Sequence, residues 1–276
     1  MFLGTPEVAV APLRALVAAG IEVPLVVSRP DRRRGRGAAV TPSPVKAAAL
    51  DLGLAVTDQV DDVLAVDAEL GVVVAFGRLI RPPVLASLPM VNLHFSLLPR
   101  WRGAAPVERA ILAGDDRTGV DLMIVEEGLD AGGILRRAEV TIGGDETLDE
   151  LRGRLVDLGT DLLVKELRRG LGEPQRQDGE PTYAAKIDAE ELHLDWTRPA
   201  VDVHRRVRLG GAWTTHAGRR LKVWRTHVPP QAGGPVIRAG DGPVELVEVQ
   251  PEGKARMAAT AWANGARWQP ADGLGP

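Results

Sequence analysis

Short apolar runs alternate with helical patterns over residues 1–170, which predicts a mostly parallel sheet flanked by helices. The clearest strand patterns are 71–76, an unbroken apolar run typical of a fully buried strand, and 90–94. Weaker patterns predict a strand that ends at Leu3 and another over 22–27. The first part of the chain is therefore expected to be an α/β domain.

Helix boundaries follow from capping residues and leucine periodicity. The helix after the first strand should have its regular part begin at Pro12 and should end at Gly20. Ser43 followed by Pro44 is the usual order of an N-cap and a first helical residue, so a second helix should start there. Leucines at spacings of three and four predict one long amphipathic helix over 147–169.

The composition changes after this long helix. Segment 171–182 contains two prolines and hardly any apolar side chain, which predicts a linker. Beyond it, 221–224 and 243–249 are short strand patterns separated by glycine and proline turns, which predict a small β-rich domain. The expected organisation is one domain over 1–170, the linker, and a second domain over 183–276.

Composition narrows the class of protein. With 276 residues, 45% hydrophobic and 26% charged, the chain can form one large or two ordinary globular domains, and disorder is excluded. It has no apolar run of membrane-spanning length and no signal-like N-terminus, so a cytoplasmic protein without a membrane partner is expected. The absence of cysteine excludes disulfides, thiolate nucleophiles and thiolate zinc sites.

Basic residues are concentrated in two stretches although the net charge is −3. From Lys186 onward there are 13 basic and 10 acidic residues, against 21 and 27 before it. The stretch from Arg198 to Arg225 has eight basic residues opposed only by Asp202, and a second stretch contains Arg29, Arg32, Arg33, Arg34 and Arg36. Each is either a solvated surface or a surface for a polyanion.

The strand pattern at 90–94 presents the most informative polar residues. Because side chains alternate along a strand, Asn92 and His94 lie on one face and their apolar neighbours on the other. The carboxyl ends of parallel strands are where open α/β sheets bind ligands. An amide donor beside an imidazole suits acyl transfer, and an ordinary buried, hydrogen-bonded pair is equally compatible with the pattern.

Other chemical signatures are missing. The sequence has no phosphate loop, no serine nucleophile elbow, and its Gly35-Arg36-Gly37 does not follow a strand into a helix as a dinucleotide fingerprint would. No two of the five histidines have the spacing that places ligands on one helix face, so no metal is expected.

A set of motifs in consistent order and spacing covers nearly the whole chain and resembles the formyltransferase family that uses 10-formyltetrahydrofolate. The motifs are Gly4-Thr5-Pro6, Arg29-Pro30-Asp31, Gly35-Arg36-Gly37, Pro42-Ser43-Pro44-Val45-Lys46, Ala75-Phe76-Gly77, Ser96 to Pro106, Gly128-Leu129-Asp130-Ala131-Gly132 and Gly211-Ala212-Trp213-Thr214.

The resemblance implies a catalytic site and a folate-binding loop. Asn92, His94 and Asp130 occupy the family's catalytic positions. The amide would donate to the oxyanion of a tetrahedral intermediate, and the imidazole would stabilise that oxyanion or carry the proton. The carboxylate would orient the imidazole, although Asp130 also suits a simple turn. The implied folate-binding residues are Ser96, Leu97, Leu98, Pro99, Phe76 and Gly77.

The resemblance also implies a Rossmann-like catalytic domain and an OB-like second domain, acting as a monomer on the α-amine of methionine on initiator tRNA. The basic stretches would then bind tRNA through Arg36, Arg33, Arg34, Arg205, Arg206, Arg208, Arg219 and Lys222. Trp101 would stack on a base or anchor its own loop. Two alternatives stay open, namely transfer to another amine, such as that of an amino sugar nucleotide, and an inactive tRNA-binding protein.

Overall fold

The structure, a computed structural model, describes residues 1–33, 40–231 and 233–275. The chain divides into two compact units that interleave along the sequence. Unit 1 comprises Met1–Pro106, Arg117–Thr141 and Arg152–Ala185, and unit 2 comprises Val107–Asp116, Ile142–Leu151 and Lys186–Pro276. Segment 171–182 thus belongs to unit 1.

The first two thirds of the chain contain five helices and eleven strands among the described residues. The helices are α1 (Val10–Ala18), α2 (Pro44–Asp51), α3 (Pro82–Ser87), α4 (Pro106–Ala113) and α5 (Leu148–Arg169). The strands are β1 (Phe2–Gly4), β2 (Val26–Val27), β3 (Arg32–Arg33), β4 (Val40–Thr41), β5 (Val56–Thr57), β6 (Gly71–Val74), β7 (Met90–His94), β8 (Arg102–Gly103), β9 (Arg117–Ile124), β10 (Ile134–Thr141) and β11 (Tyr183–Ala184).

The sheet of unit 1 has seven strands in the order β10-β9-β7-β6-β1-β2-β5. The five strands from β7 to β5 are parallel, and β9 and β10 continue the sheet in antiparallel pairing. The sequence reading of a mostly parallel α/β sheet is confirmed. The strand predicted over 22–27 is shorter, since only β2 joins the ladder.

Two helix starts illustrate the local rules. Helix α2 begins as predicted, with the Ser43 hydroxyl accepting a hydrogen bond from Lys46 N at 3.0 Å. Helix α1 begins at Val10 rather than Pro12, because a proline in the first turn removes only an N–H that has no intrahelical partner.

The predicted long helix is confirmed as α5, and its start is capped. Thr147 N donates to Glu150 Oε2 at 2.8 Å, and the Arg225 guanidinium donates to Glu150 Oε1 at 2.6 Å. These hydrogen bonds, that from Thr147 above all, lower the pKa of Glu150 to about 2. The cap therefore keeps its charge throughout the neutral range.

Unit 2 contains the predicted β-rich part, whose strands form an antiparallel half-barrel. Its elements are α6 (Ala200–Arg208), β12 (Trp213–His216), β13 (Arg219–His227), β14 (Val236–Arg238), β15 (Pro243–Pro251), β16 (Met257–Ala258) and α7 (Ala259–Ala266). The sheet order is β12-β13-β15-β14, with β16 also paired to β15. One face is a buried apolar core that includes Val207 of α6, Leu221 and Val223 of β13, and Trp262 of α7.

Candidate active site

Strand β7 presents Asn92 and His94 on one face, as the alternation predicts. Every residue of β7 is buried except Asn92, which is half-buried. His94 is 5% exposed. The His94 Nε2 atom lies 3.0 Å from the Trp101 carbonyl oxygen. Because a carbonyl only accepts, Nε2 holds the hydrogen in this contact and Nδ1 faces the other way.

Asp130 lies beside the imidazole, as the family resemblance implies. Its Oδ2 atom is 3.6 Å from His94 Nδ1, which is close enough for an ion pair and slightly too long for a hydrogen bond. The same oxygen accepts a hydrogen bond from Gly103 N at 2.7 Å. The loop before β10 and the loop after β7 therefore meet at this one carboxylate.

An ion pair between buried Asp121 and solvent-accessible Arg137 supports the loop that follows β7. Asp121 of β9 is fully buried, accepts a hydrogen bond from Leu98 N at 2.8 Å and pairs with Arg137 of β10 at 2.6 Å. Arg137 also donates to the Leu98 carbonyl. The hydrogen bond from Arg137 to Asp121 raises the pKa of the guanidinium. Both backbone groups of Leu98 are thereby held in place.

The residues expected at folate differ in accessibility. Leu97 and Pro99 are half-buried, whereas Leu98 and Phe76 are buried and Ser96 is enclosed, with its hydroxyl donating to Arg100 O at 2.6 Å. Gly77 is exposed just beyond β6. Side-chain contact with a ligand is thus open to Leu97 and Pro99.

The loop after β6 is held by residues that the strand patterns did not single out. The Thr5 hydroxyl donates to the Phe76 carbonyl at 3.3 Å, and the Arg29 guanidinium donates to the Gly77 carbonyl. Arg29 belongs to a stretch read as tRNA-binding, and here its side chain fixes a site loop. Its place in the Arg29-Pro30-Asp31 motif was the only available signal.

Segment 171–182 contributes unforeseen contacts. Thr182 Oγ1 accepts a hydrogen bond from Trp101 N at 2.9 Å and Thr182 O accepts one from Arg102 N at 2.8 Å. Strand β11, directly after it, pairs in parallel with β8. Two-residue strands are too short to show a period of alternation, so no local sequence pattern predicts this pairing.

A basic and aromatic surface lies on the solvent side of β12 and β13. The Arg220 guanidinium is 3.9 Å from the Trp213 ring centre, and the Arg256 guanidinium is 3.3 Å from that of Trp224. Lys222 Nζ is 5.7 Å from the Trp224 ring. We call these five residues the Trp–Arg surface, and Arg256 is a member that the sequence reading missed.

The other predicted tRNA-binding residues divide into three groups. Arg219 is exposed. Arg205, Arg206 and Arg208 lie on α6, where Arg208 is 7% exposed and donates to the backbone carbonyls of 143 and 146. Burial lowers the pKa of Arg206 and Arg208. Arg34 and Arg36 lie outside the described residues, as does the side chain of Arg33.

Among the described residues predicted to bind tRNA, Arg208 is buried by its surroundings. Its guanidinium is enclosed and already bonded to backbone, so it cannot reach a phosphate. The sequence places it in a basic stretch, but on α6 the side chain points inward beside Val207.

The described part of the chain offers neither a metal site nor a membrane-spanning helix. In it, no group of three or more metal-ligating side chains is placed to hold an ion. No helix there combines the length and apolar character needed to cross a membrane.

Known proteins resemble this chain in sequence over most of its length. A formyl transferase family model matches residues 1–167, and a model of the formyl transferase C-terminal domain matches residues 186–267. A methionyl-tRNA formyltransferase from Ruegeria pomeroyi is 43% identical over 96% of both chains, and one from Symbiobacterium thermophilum is 41% identical over 96% of this chain and 91% of its own.

Solved structures share the fold. An N-formyltransferase from Helicobacter canadensis, in complex with folinic acid and dTDP-3-aminofucose, aligns with a TM-score of 0.68 at 17% identity, over 89% of this chain and 97% of its own. A methionyl-tRNA formyltransferase from Clostridium thermocellum aligns with a TM-score of 0.55 at 18% identity, over 72% and 86%.

The fold and the two family models define a formyl transferase. Within that class, its near full-length relatives show that the chain belongs to the methionyl-tRNA formyltransferase family.

Proposed function

We propose that this protein transfers the formyl group of 10-formyltetrahydrofolate to the α-amine of methionine carried by initiator tRNA. The observation that supports this most is the contact between His94 Nδ1 and Asp130 Oδ2, 3.6 Å apart, beside Asn92 at the carboxyl end of β7. It occurs in a chain 43% identical to a methionyl-tRNA formyltransferase.

The proposed reaction is an acyl transfer between two nitrogens. The methionine amine attacks the formyl carbon, which forms a C–N bond and places negative charge on the formyl oxygen. The Asn92 carboxamide donates to that oxygen. The C–N10 bond of the folate then breaks, and the proton lost by the amine ends on N10. His94 stabilises the oxyanion or carries this proton, and neither step needs a metal ion.

The role proposed for Asp130 is orientation. Trp101 O fixes the hydrogen on Nε2 of His94, and Asp130 faces the other ring nitrogen, so the ring has a defined orientation. The bond from Gly103 N holds the carboxylate in that position.

The proposed folate site lies beyond β6 and β7. Leu97 and Pro99 offer accessible side chains, and Gly77 is exposed to solvent in the neighbouring loop. Ser96, Leu98 and Phe76 support these loops from inside. We assign the donor as 10-formyltetrahydrofolate because the family that the motifs resemble uses it as its formyl donor.

The proposed tRNA-binding residues are the Trp–Arg surface together with Arg219, Arg205, Arg206, Arg33, Arg34 and Arg36. Guanidinium groups stacked on indole rings provide both the charge that phosphates attract and the flat faces on which bases stack. Arg208 is left out because it is buried.

We propose a division into a catalytic domain over 1–170, a connection over 171–182 and a tRNA-binding domain over 183–276. The ranges of the two family models, 1–167 and 186–267, support this division. The proposal also places the enzyme in the cytoplasm, where its tRNA substrate is used, and as a monomer, which sedimentation would check.

The test is a single-turnover assay with 10-formyltetrahydrofolate and charged initiator tRNA. The expected product is formylmethionyl-tRNA, with no transfer to a dTDP-amino sugar. Formylation of the sugar instead would support an amino sugar transferase, and tRNA binding without any transfer would support an inactive binding protein. Either result contradicts the proposed function.

A further inference from the structure

Segment 171–182 is attached to the site loops at several points, although its composition predicts a linker. Gln175 exchanges two backbone hydrogen bonds with Ile134 at the start of β10, of 2.7 and 2.8 Å. Thr182 bonds the backbone after β7, as described above. We call 171–182 the strap, because it joins the Asp130 loop to the loop that follows His94.

Gln177, at the middle of the strap, uses its whole carboxamide in this connection. Its Nε2 atom donates to the carbonyls of Asp130 at 2.8 Å and Gly132 at 2.9 Å. Its Oε1 atom accepts from Arg102 Nε at 3.1 Å and Nη2 at 2.6 Å. Both donors and both acceptor positions of the amide are therefore filled, each by a site loop.

These bonds surround the contacts that define the catalytic pair. Arg102 lies between Trp101, whose carbonyl meets His94 Nε2, and Gly103, whose N–H meets Asp130 Oδ2. Gln177 thus joins the backbone of the Asp130 loop to the side chain of Arg102, one on each side of the His94–Asp130 contact.

The backbone conformation at these positions needs such support. Trp101 has φ 65° and Asp130 has φ 45°, the left-handed region that non-glycine residues seldom adopt. Such conformations persist where surrounding groups hold them. The strap bonds the N–H of Trp101 and the carbonyl of Asp130, one group in each of the two residues.

We propose that Gln177 is a positioning residue for the formyl transfer: its carboxamide sets the placement of Asp130 relative to His94. The inference rests on the proposed function. Gln177 contacts backbone carbonyls and Arg102, so it acts through the two loops.

The experiment compares Gln177→Ala with Gln175→Ala in the full-length enzyme. Both remove a glutamine side chain from the strap, but that of Gln175 is exposed and its pairing uses only backbone atoms. We expect Gln177→Ala to lower the single-turnover rate constant about 10- to 100-fold, with KM for both substrates within about threefold of wild type. Gln175→Ala should match wild type in both.

Gln177→Glu separates positioning from simple attachment of the strap. A carboxylate still accepts from Arg102 but has no hydrogen to give the carbonyls of Asp130 and Gly132, so it repels them. We expect this variant to transfer formyl groups at least as slowly as Gln177→Ala. If Gln177→Ala does not fold, Gln177→Glu still tests the proposal, because it keeps the contact with Arg102.

Three results would overturn the positioning role. They are a rate constant for Gln177→Ala within about twofold of wild type, a rise in KM alone, or a Gln177→Glu enzyme that works like wild type. A thermal melt of each variant checks that it is folded at the assay temperature, so that any loss of rate belongs to the folded protein. If wild type itself transfers no formyl group, the proposed function fails and this inference with it.

Discussion

At the scale of single residues, the candidate site depends on residues with positive φ, some of which are glycines and some of which are held by hydrogen bonds with neighbouring side chains. Ala75, Trp101 and Asp130 have positive φ, at a cost of about 1–3 kcal/mol each, and they lie at the strand ends and loops around the site. Gly103 has φ +120°, and its N–H is the donor to Asp130. The position of the carboxylate therefore depends on a residue without a Cβ.

Gly103→Ala tests this dependence. The added Cβ would meet Ala184 O at 3.0 Å in a conformation that L-residues rarely adopt, so we expect a loss of about 1–3 kcal/mol in the free energy of unfolding and a slower transfer. Denaturant titration and the single-turnover assay measure the two effects.

Gly153→Ala is the matched control. It lies in helix α5 with nothing within 4 Å of the new Cβ, and it should raise stability by roughly 0.5–1 kcal/mol without changing the rate. Equal behaviour of the two variants would show that Gly103 has no special role.

The sequence singled out some candidate site residues for physical reasons and others only by resemblance. Asn92 and His94 followed from strand alternation, which is a local property. Asp130 was chemically indistinguishable from a turn residue, and only the family motif singled it out. Gln177 could not be found, because its partners are distant in sequence and a hydrogen-bonding glutamine has no periodic signal.

At the scale of elements, capping and periodicity predicted three helices, α1, α2 and α5, and predicted the short strands poorly. Helices α2 and α5 were predicted from Ser43-Pro44 and from the leucine spacing, while β8 and β11 went unnoticed. Strands β8 and β11 have only two residues each and pair with a segment distant in sequence, which is a tertiary effect. The strap has the composition of a linker, yet its polar groups bind the site loops.

Asp121 tests how strongly β9 and β10 support the loop after β7. Asp121→Ala would leave Leu98 N without its acceptor and Arg137 without its partner. We expect a loss of about 3 kcal/mol, the lower end for a buried pair because Arg137 stays partly exposed to solvent. KM for the folate should rise as the loop loosens.

Glu139→Ala on the same strand pair is the control for Asp121→Ala. Its pairing with Arg117, at 3.5 Å, joins two exposed side chains, so it should change stability by less than about 1 kcal/mol. Chemical denaturation of both variants gives the comparison, and similar losses would contradict the assigned role of Asp121.

At the scale of the whole molecule, local charge matters more than the net charge of −3. The sequence predicted a basic stretch between Arg198 and Arg225, and in the fold its side chains point in different directions. Arg208 turns inward, while Arg220 and Lys222 stay on the solvent side and lie over tryptophans. Side-chain direction on a helix or strand decides this, and linear charge counting cannot.

The Trp–Arg surface gives a prediction for tRNA binding. Affinity should fall steeply with salt, and the double variant Arg220→Ala/Lys222→Ala should reduce the slope of log affinity against log salt by about 1 to 2. Lys165→Ala, which removes an exposed cation of α5, should leave the slope unchanged. Filter binding at several salt concentrations measures all three, and equal slopes would remove these residues from the interface.

The most direct test of the catalytic assignment is the single-turnover rate of formyl transfer to methionyl-tRNA by Asn92→Ala and His94→Ala, each checked for folding. Deleting Asn92, the proposed oxyanion donor, should slow transfer roughly 100- to 1000-fold, and loss of the imidazole should also impair it severely. Rates within about a factor of two of wild type for either variant would contradict the assignment.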